Sequence, residues 1–103
     1  MTDRSKLYIV VSSALAPGVM LAQACHAAVG FIVGYPDIAR EWHGVSNNLV
    51  VLVADDIPSW AAQLHAAALA VTVFHEPDLE DAMTALAVEP AAGRMLRRLP
   101  LAG

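Results

Sequence analysis

Four short apolar runs punctuate the chain, and the stretches between them follow a different rhythm. Leu7-Tyr8-Ile9-Val10-Val11 is continuous and rich in β-branched residues, as in a strand covered on both faces. Leu49–Val53 repeats that pattern, Val71–Phe74 makes a third strand, and Thr84–Val88 makes a fourth, ended by Glu89-Pro90. Ser12–Ala16 reads as a loop. Pro17 suits the first turn of a helix, because its missing N–H has no helical partner there. This helix runs to Val33, with Gly34 as a left-handed stop. Its Ala22, Ala24, Ala27, Ala28 and Gly30 allow a close approach to a sheet. Tyr35–Asn48 is polar and irregular, with a helical turn over Asp37–Trp42. Asp55 or Asp56 caps the next helix, which has Pro58 in its first turn. That helix presents Trp60, Leu64 and Ala67/Ala68 at helical spacing and runs to Ala70. There the Ala/Leu spacing gives way to Val71-Thr72-Val73-Phe74, which favours a strand. His75–Asp81 is an acidic loop containing Pro77, and a final helix over Ala91–Leu99 is stopped by Pro100.

The order β α (α) β α β β α predicts one three-layer α/β/α domain spanning the whole chain, built on a mixed, mostly parallel four-stranded sheet. The third and fourth strands have no helix between them and are expected to run antiparallel.

Composition narrows the class. The chain has 103 residues, 57% of them hydrophobic and only 16% charged, with alanine at 20 positions. That excludes a disordered tail and a strongly basic nucleic-acid module. The formal net charge of −4 means that the overall field does not steer the chain to phosphate. A nucleic-acid partner then needs a local patch, and Arg94, Arg97 and Arg98 on the last helix are the candidate for tRNA. The single Cys25 reads as a small buried hydrophobe and, without a partner, fits a reducing cytoplasm. Leu7–Pro36 and Ile57–His75 carry no Asp, Glu, Lys or Arg, yet Pro17-Gly18, Gln23 and His26 break the first run and Pro58, Gln63 and His65 the second. Each reads as two elements and not as a membrane span. The start mimics a leader, with Arg4, Lys6 and Ala14-Leu15-Ala16, but its unbroken apolar stretch of five residues is too short. So apolar a chain should leave a patch uncovered, and a twofold homodimer is expected.

No self-sufficient catalytic motif is present. The four histidines (26, 43, 65 and 75) and Cys25 lack metal-ligand spacing, so neither a metal nor a cofactor is expected. Ser12 and Ser13 follow the first strand, where sites of parallel sheets lie. Gln23 and His26, three apart on the first helix, share a face, and polar groups on an Ala-rich helix need partners if buried. They are either hydrogen-bonded structural residues or the wall of a site at the sheet's C-terminal edge.

The segment from Leu7–Val11 through Pro17-Gly18 to Ala22-Gln23-Ala24-Cys25-His26-Ala27-Ala28 resembles the start of the type-2 peptidyl-tRNA hydrolases. The family has an apolar strand, a loop and Ala-Gln-x-x-His-Ala-Ala on a long helix. Trp42 with Ser46-Asn47-Asn48-Leu49-Val50-Val51-Leu52, Glu76-Pro77-Asp78-Leu79, Thr84–Pro90 and the ending Leu99-Pro100-Leu101 extend the likeness to a compact bacterial branch. The resemblance implies a mixed four-stranded α/β/α fold, a homodimer, and metal-independent hydrolysis of the ester joining a peptide to tRNA. It also implies a site in which Gln23 orients the carbonyl or the water, Thr84 donates to the oxyanion, and Glu76 or His26 is the base. Glu76 stands near the family's acidic position with shorter local spacing. Ser12, Ser13 and Val19 fall on the substrate side.

The family's Lys at the head of this helix is Val19 here, and its Arg and Asp after the first strand are Ser12 and Ala14. An ester oxyanion needs donors aimed at it, and valine offers none. Three functions stay open: a hydrolase of peptidyl-tRNA type, a non-catalytic binding or assembly module on the same fold, and an unrelated small-molecule enzyme.

Overall fold

A computed structural model describes residues 5–103, so Arg4 of the leader-like start lies outside the described residues. The strands are β1 (Lys6–Ser12), β2 (Asn48–Ala54), β3 (Val71–Glu76) and β4 (Ala82–Val88). The helices are α1 (Pro17–Gly34), α2 (Pro36–Val45), α3 (Ile57–Ala66) and α4 (Gly93–Leu96), with 3-10 turns at Pro77–Leu79 and Pro90–Ala92. All four strands lie where the apolar runs place them.

The sheet order is β2-β1-β4-β3. β1 pairs parallel with β2, and β4 pairs antiparallel with both β1 and β3. The sheet is mixed as expected, but the expectation of a mostly parallel one is corrected, since two of its three pairings are antiparallel. The cause is the Pro77–Asp81 connection. It is too short for a parallel crossover, which needs a dozen or more residues, so β4 must reverse on β3. Insertion between β3 and β1 then gives it a second antiparallel ladder.

Period-2 alternation divides the core. Leu7, Ile9 and Val11 of β1 join Ala85 and Ala87 of β4 under α1 and α2, with Ala24, Ala27, Phe31, Ala39 and Trp42. Val10, Leu86 and Val88 join the other cluster, with Ile57, Ala61 and Leu64 of α3 and Leu96 of α4. The central strands β1 and β4 are the continuous apolar runs because both their faces are covered. Small residues bring α1 close to the sheet: a Cβ on Gly30 would stand 2.9 Å from Thr72 Cγ2.

Several element ends depart from expectation. Gly34 closes α1 without entering the left-handed region, since Gly103 is the only glycine of positive φ among the described residues. The stop comes from Pro36, which keeps Tyr35 out of the α region. α2 is a ten-residue helix and not a single turn, anchored where Trp42 Nε1 donates to Asn48 O at 2.6 Å. α3 is capped by Asp56, whose Oδ1 accepts from the Ser59 N–H at 3.1 Å, and it ends at Ala66 instead of Ala70. The last helix is four residues long, because the chain past Leu96 turns to lay Pro100–Ala102 along β2: Val53 N–H donates to Pro100 O and Ala102 N–H to Val51 O. This tail covers the outer edge of β2. α1 buries only the stripe Gln23, Ala24, Ala27 and Phe31, so Cys25 is exposed on its outer face and is not the buried hydrophobe expected. By length and composition α1 is the one described helix able to cross a membrane.

The end of α3 offers a stability test. Ala68 sits at φ 62, with its N–H on His65 O and the Leu69 N–H on Leu64 O. A Cβ there costs about 1–2 kcal/mol, partly offset by the extra freedom glycine has when unfolded. Ala68→Gly should therefore stabilise the fold by about 0.5–1 kcal/mol, raising the thermal midpoint by a few degrees. An unchanged or lowered midpoint contradicts the strain argument.

Candidate active site

The site begins with a slip in the β3–β4 ladder. Phe74 pairs with Ala85 and His75 with Met83, which leaves Thr84 as an extra residue in β4. This is a β-bulge, and a bulge re-aims a side chain. Strict alternation would send Thr84 the same way as Leu86 and Val88, toward α3. Instead Thr84 meets α1, where its Oγ1 donates to Gln23 Oε1 at 2.5 Å. Gln23 Nε2 in turn donates to Glu76 Oε1 at 2.6 Å, and Glu76 Oε2 accepts from the Asp78 N–H at 3.1 Å. Three residues from three elements thus form one chain of hydrogen bonds at the edge where β1, β2 and β3 end.

The chain has a fixed direction. A carboxylate only accepts, so Glu76 requires the nitrogen of the Gln23 amide, and the amide oxygen must face Thr84. The hydroxyl then spends its single hydrogen on Gln23. Gln23 and Thr84 are 2% and 3% exposed, which explains why both polar ends need partners. Glu76 is half-buried at the outer end.

The hydrogen bond from Gln23 holds the Glu76 carboxyl below its ordinary value of 4.5, helped by the Asp78 N–H and the nearby charge of His26 and opposed by partial burial. Because the folded value lies below the unfolded one, the stabilisation is present in full above the unfolded value and is lost as pH falls through the folded one. Acidification from about pH 6 to about pH 3 should therefore destabilise the wild-type protein more than Glu76→Gln, which has no such proton to take up. Urea midpoints measured across that range test this; parallel curves would deny Glu76 the linkage.

His26, one turn beyond Gln23, is exposed and stacks on Phe74 with ring centroids 4.5 Å apart and planes 10° from parallel. Val19, one turn before Gln23, is 42% exposed. Ser13 and Ser12 stand apart from the array. Ser13 Oγ donates to Asp55 Oδ1 at 2.6 Å, joining the β1 and β2 loops, while Ser12 Oγ accepts from the Ala14 N–H within its own turn.

Residues 5–99 match the family model described as Peptidyl-tRNA hydrolase PTH2. The chain belongs to that family. None of the curated proteins matches it.

In this type-2 peptidyl-tRNA hydrolase family member, the structure brings together Gln23, Glu76 and Thr84, with His26 and Val19 one helical turn to either side. It does not bring the two serines into the same array. Arg94, Arg97 and Arg98 are all exposed, but only Arg94 lies in α4, so the three do not form the helix-end row expected. Among the described residues no three His, Cys, Asp or Glu side chains gather into a group that could hold a metal ion. Two features escaped sequence reasoning. Phe74 as the ring beneath His26 was hidden in a strand that reads as core. The bulge at Thr84 has no composition signal, since Thr84-Ala85-Leu86-Ala87-Val88 looks regular.

Proposed function

We propose that this chain hydrolyses the ester between a peptide and tRNA, as the family's name describes. The supporting observation is the Thr84–Gln23–Glu76 array. It fixes the Gln23 amide by both ends and engages one of its two N–H hydrogens, so the second is the donor offered to a substrate carbonyl that displaces the cover over this buried side chain. Water attacks the acyl carbon, and the His26 imidazole takes the water's proton and returns it to the departing ribose hydroxyl. The Gln23 N–H meets the charge that develops on the carbonyl oxygen. Glu76, held ionised, is a weak base and serves to orient the amide. Thr84, its hydrogen already given to Gln23, does the same and does not itself supply the oxyanion donor.

A second reading, a non-catalytic binding or assembly module, is favoured by one observation. Position 19 carries an exposed valine where the family has a lysine, so no lysine stands beside the array at that position. Purified peptidyl-tRNA assayed beside simple carboxylic esters separates the two. Release of free peptide supports the hydrolase; peptidyl-tRNA that is bound but left intact supports the module.

The rest of the reading follows from surface and core. The single Cys25 supports a cytoplasmic protein, and the two separate cores on the faces of the sheet support a three-layer α/β/α arrangement. Leu21, Val29, Ile32 and Val33 leave the outer face of α1 apolar and exposed, which supports a homodimer. A solution mass that stays monomeric at all concentrations argues against it. Arg94, Arg97 and Arg98 would touch tRNA phosphate, in which case affinity falls by about 0.7–0.9 log units per log unit of salt for each contact.

A further inference from the structure

The imidazole of His26 presents a flat face as well as two nitrogens. His26 is exposed, and one side of its ring lies against Phe74, with centroids 4.5 Å apart and planes 10° from parallel. Near-parallel rings at that spacing form an offset stack and attract each other. Phe74 is half-buried in β3 and fixed in the ladder opposite Ala85, so the sheet sets the lower ring and the lower ring sets the upper one. No hydrogen bond ties the imidazole nitrogens among the described residues. They lie in the plane of the ring, so stacking leaves them free, and the exposure of His26 leaves its second face to solvent.

The surroundings favour a flat, uncharged partner for that face. Neither α1 nor the β3–β4 hairpin contains a Lys or Arg, and the hairpin loop adds Asp78, Glu80 and Asp81. These elements therefore offer phosphate no attraction. Nucleic acid held at such a place is held by stacking, which every base can do through its π-face. Histidine is among the side chains on which unpaired bases stack.

We infer that the outer face of His26, backed by Phe74, is the platform for the base of the nucleotide that carries the ester. This rests on the proton transfer proposed between His26 and the departing ribose hydroxyl. That hydroxyl must meet the edge of the imidazole, where the nitrogens are. The base is carried on the same five-membered sugar, so it reaches the face of the ring while the sugar oxygen meets its edge. The acyl part leaves the carbonyl on the other side, along α1 toward the apolar Val19. Gln23 stands between the two, four residues after Val19 and three before His26. One helix thus divides the site into an acyl end and a nucleoside end.

The test is a binding titration with adenosine, a nucleoside without phosphate, and needs no turnover. D-ribose and N-acetyl-L-phenylalaninamide are the comparison probes, and the carbon-bound ring protons of His26 are followed by NMR in the full chain. The expected result is an upfield shift with adenosine, the ring-current effect of a base laid over the imidazole, and none with ribose at the same concentration. The phenylalanine amide should half-saturate at a higher concentration than adenosine. His26→Ala should raise the half-saturating concentration of adenosine, read from the nucleoside's own signals, by at least about tenfold. His26→Phe, which keeps a stacking face, should leave it within about threefold. No shift with adenosine, an equal shift with ribose, or an affinity that survives His26→Ala overturns the inference. So does half-saturation by the phenylalanine amide at or below the adenosine concentration, which would assign the ring to an acyl side chain. The wild-type comparison of the three probes decides on its own should a variant fail to fold. Peptidyl-tRNA hydrolysis without adenosine on His26 sinks this inference and leaves the proposed function standing. Adenosine on His26 without hydrolysis does the reverse.

Discussion

Gln23→Ala should lower peptidyl-tRNA hydrolysis by about 10²–10³-fold, the effect of deleting one donor to a developing oxyanion. The same change strands the buried Thr84 hydroxyl, so it should also cost about 1–3 kcal/mol of stability. The two effects are separable. Rates are measured well below the variant's thermal midpoint, with the folded fraction read from circular dichroism in the same tube. A loss of rate far larger than the loss of folded protein identifies the amide as part of the chemistry. A folded variant within about threefold of wild type would show that Gln23 only holds α1 to the sheet.

Val19→Lys should raise hydrolysis by at least about tenfold, equivalent to about 1.4 kcal/mol of barrier. Val19 and Gln23 are four residues apart on α1 and share a face. A lysine at position 19 therefore sends its ammonium along the surface that holds the Gln23–Glu76–Thr84 array. A well-placed donor or proton-transfer group is worth about 10²–10⁴ in rate. Valine is already 42% exposed there, so stability should move by no more than about 0.5 kcal/mol. Single-turnover hydrolysis of peptidyl-tRNA by the two proteins is the measurement. A folded variant that is no faster favours the binding-module reading. A wild type already as fast as an efficient hydrolase means that another group, such as His26, has replaced the lysine.

The fold was legible wherever burial writes itself into composition. Leu7–Val11 and Thr84–Val88 are continuous apolar runs because β1 and β4 are central and covered on both faces. The direction of β4 could be read from the short Pro77–Asp81 connection, but its place beside β1 could not. A strand's neighbours depend on tertiary packing that leaves no periodic mark. Ends were harder: a glycine looked like the stop of α1, while the restriction that Pro36 imposes on Tyr35 does that work. At the site, Gln23 was visible because an amide on an alanine-rich helix demands partners. The identity of those partners was visible only through family resemblance. The isolation of Ser12 and Ser13 was invisible, since position after a strand says nothing of which neighbour takes the hydroxyl.

The extra residue at Thr84 divides the site's possible histories into two kinds. Which side chain occupies a position changes by substitution, but which face of a strand it looks toward changes only when the chain gains or loses a residue. The valine at position 19 is a change of the first kind, leaving every neighbour in place and open to reversal. Removing one residue from β4 would be of the second kind. It would straighten the ladder against Phe74 and His75 and turn position 84 away from α1, where no later substitution at that position could bring it back. A lineage can therefore pass through inactive or repurposed forms for as long as the length of this hairpin is kept, and the architecture of the site outlasts its chemistry.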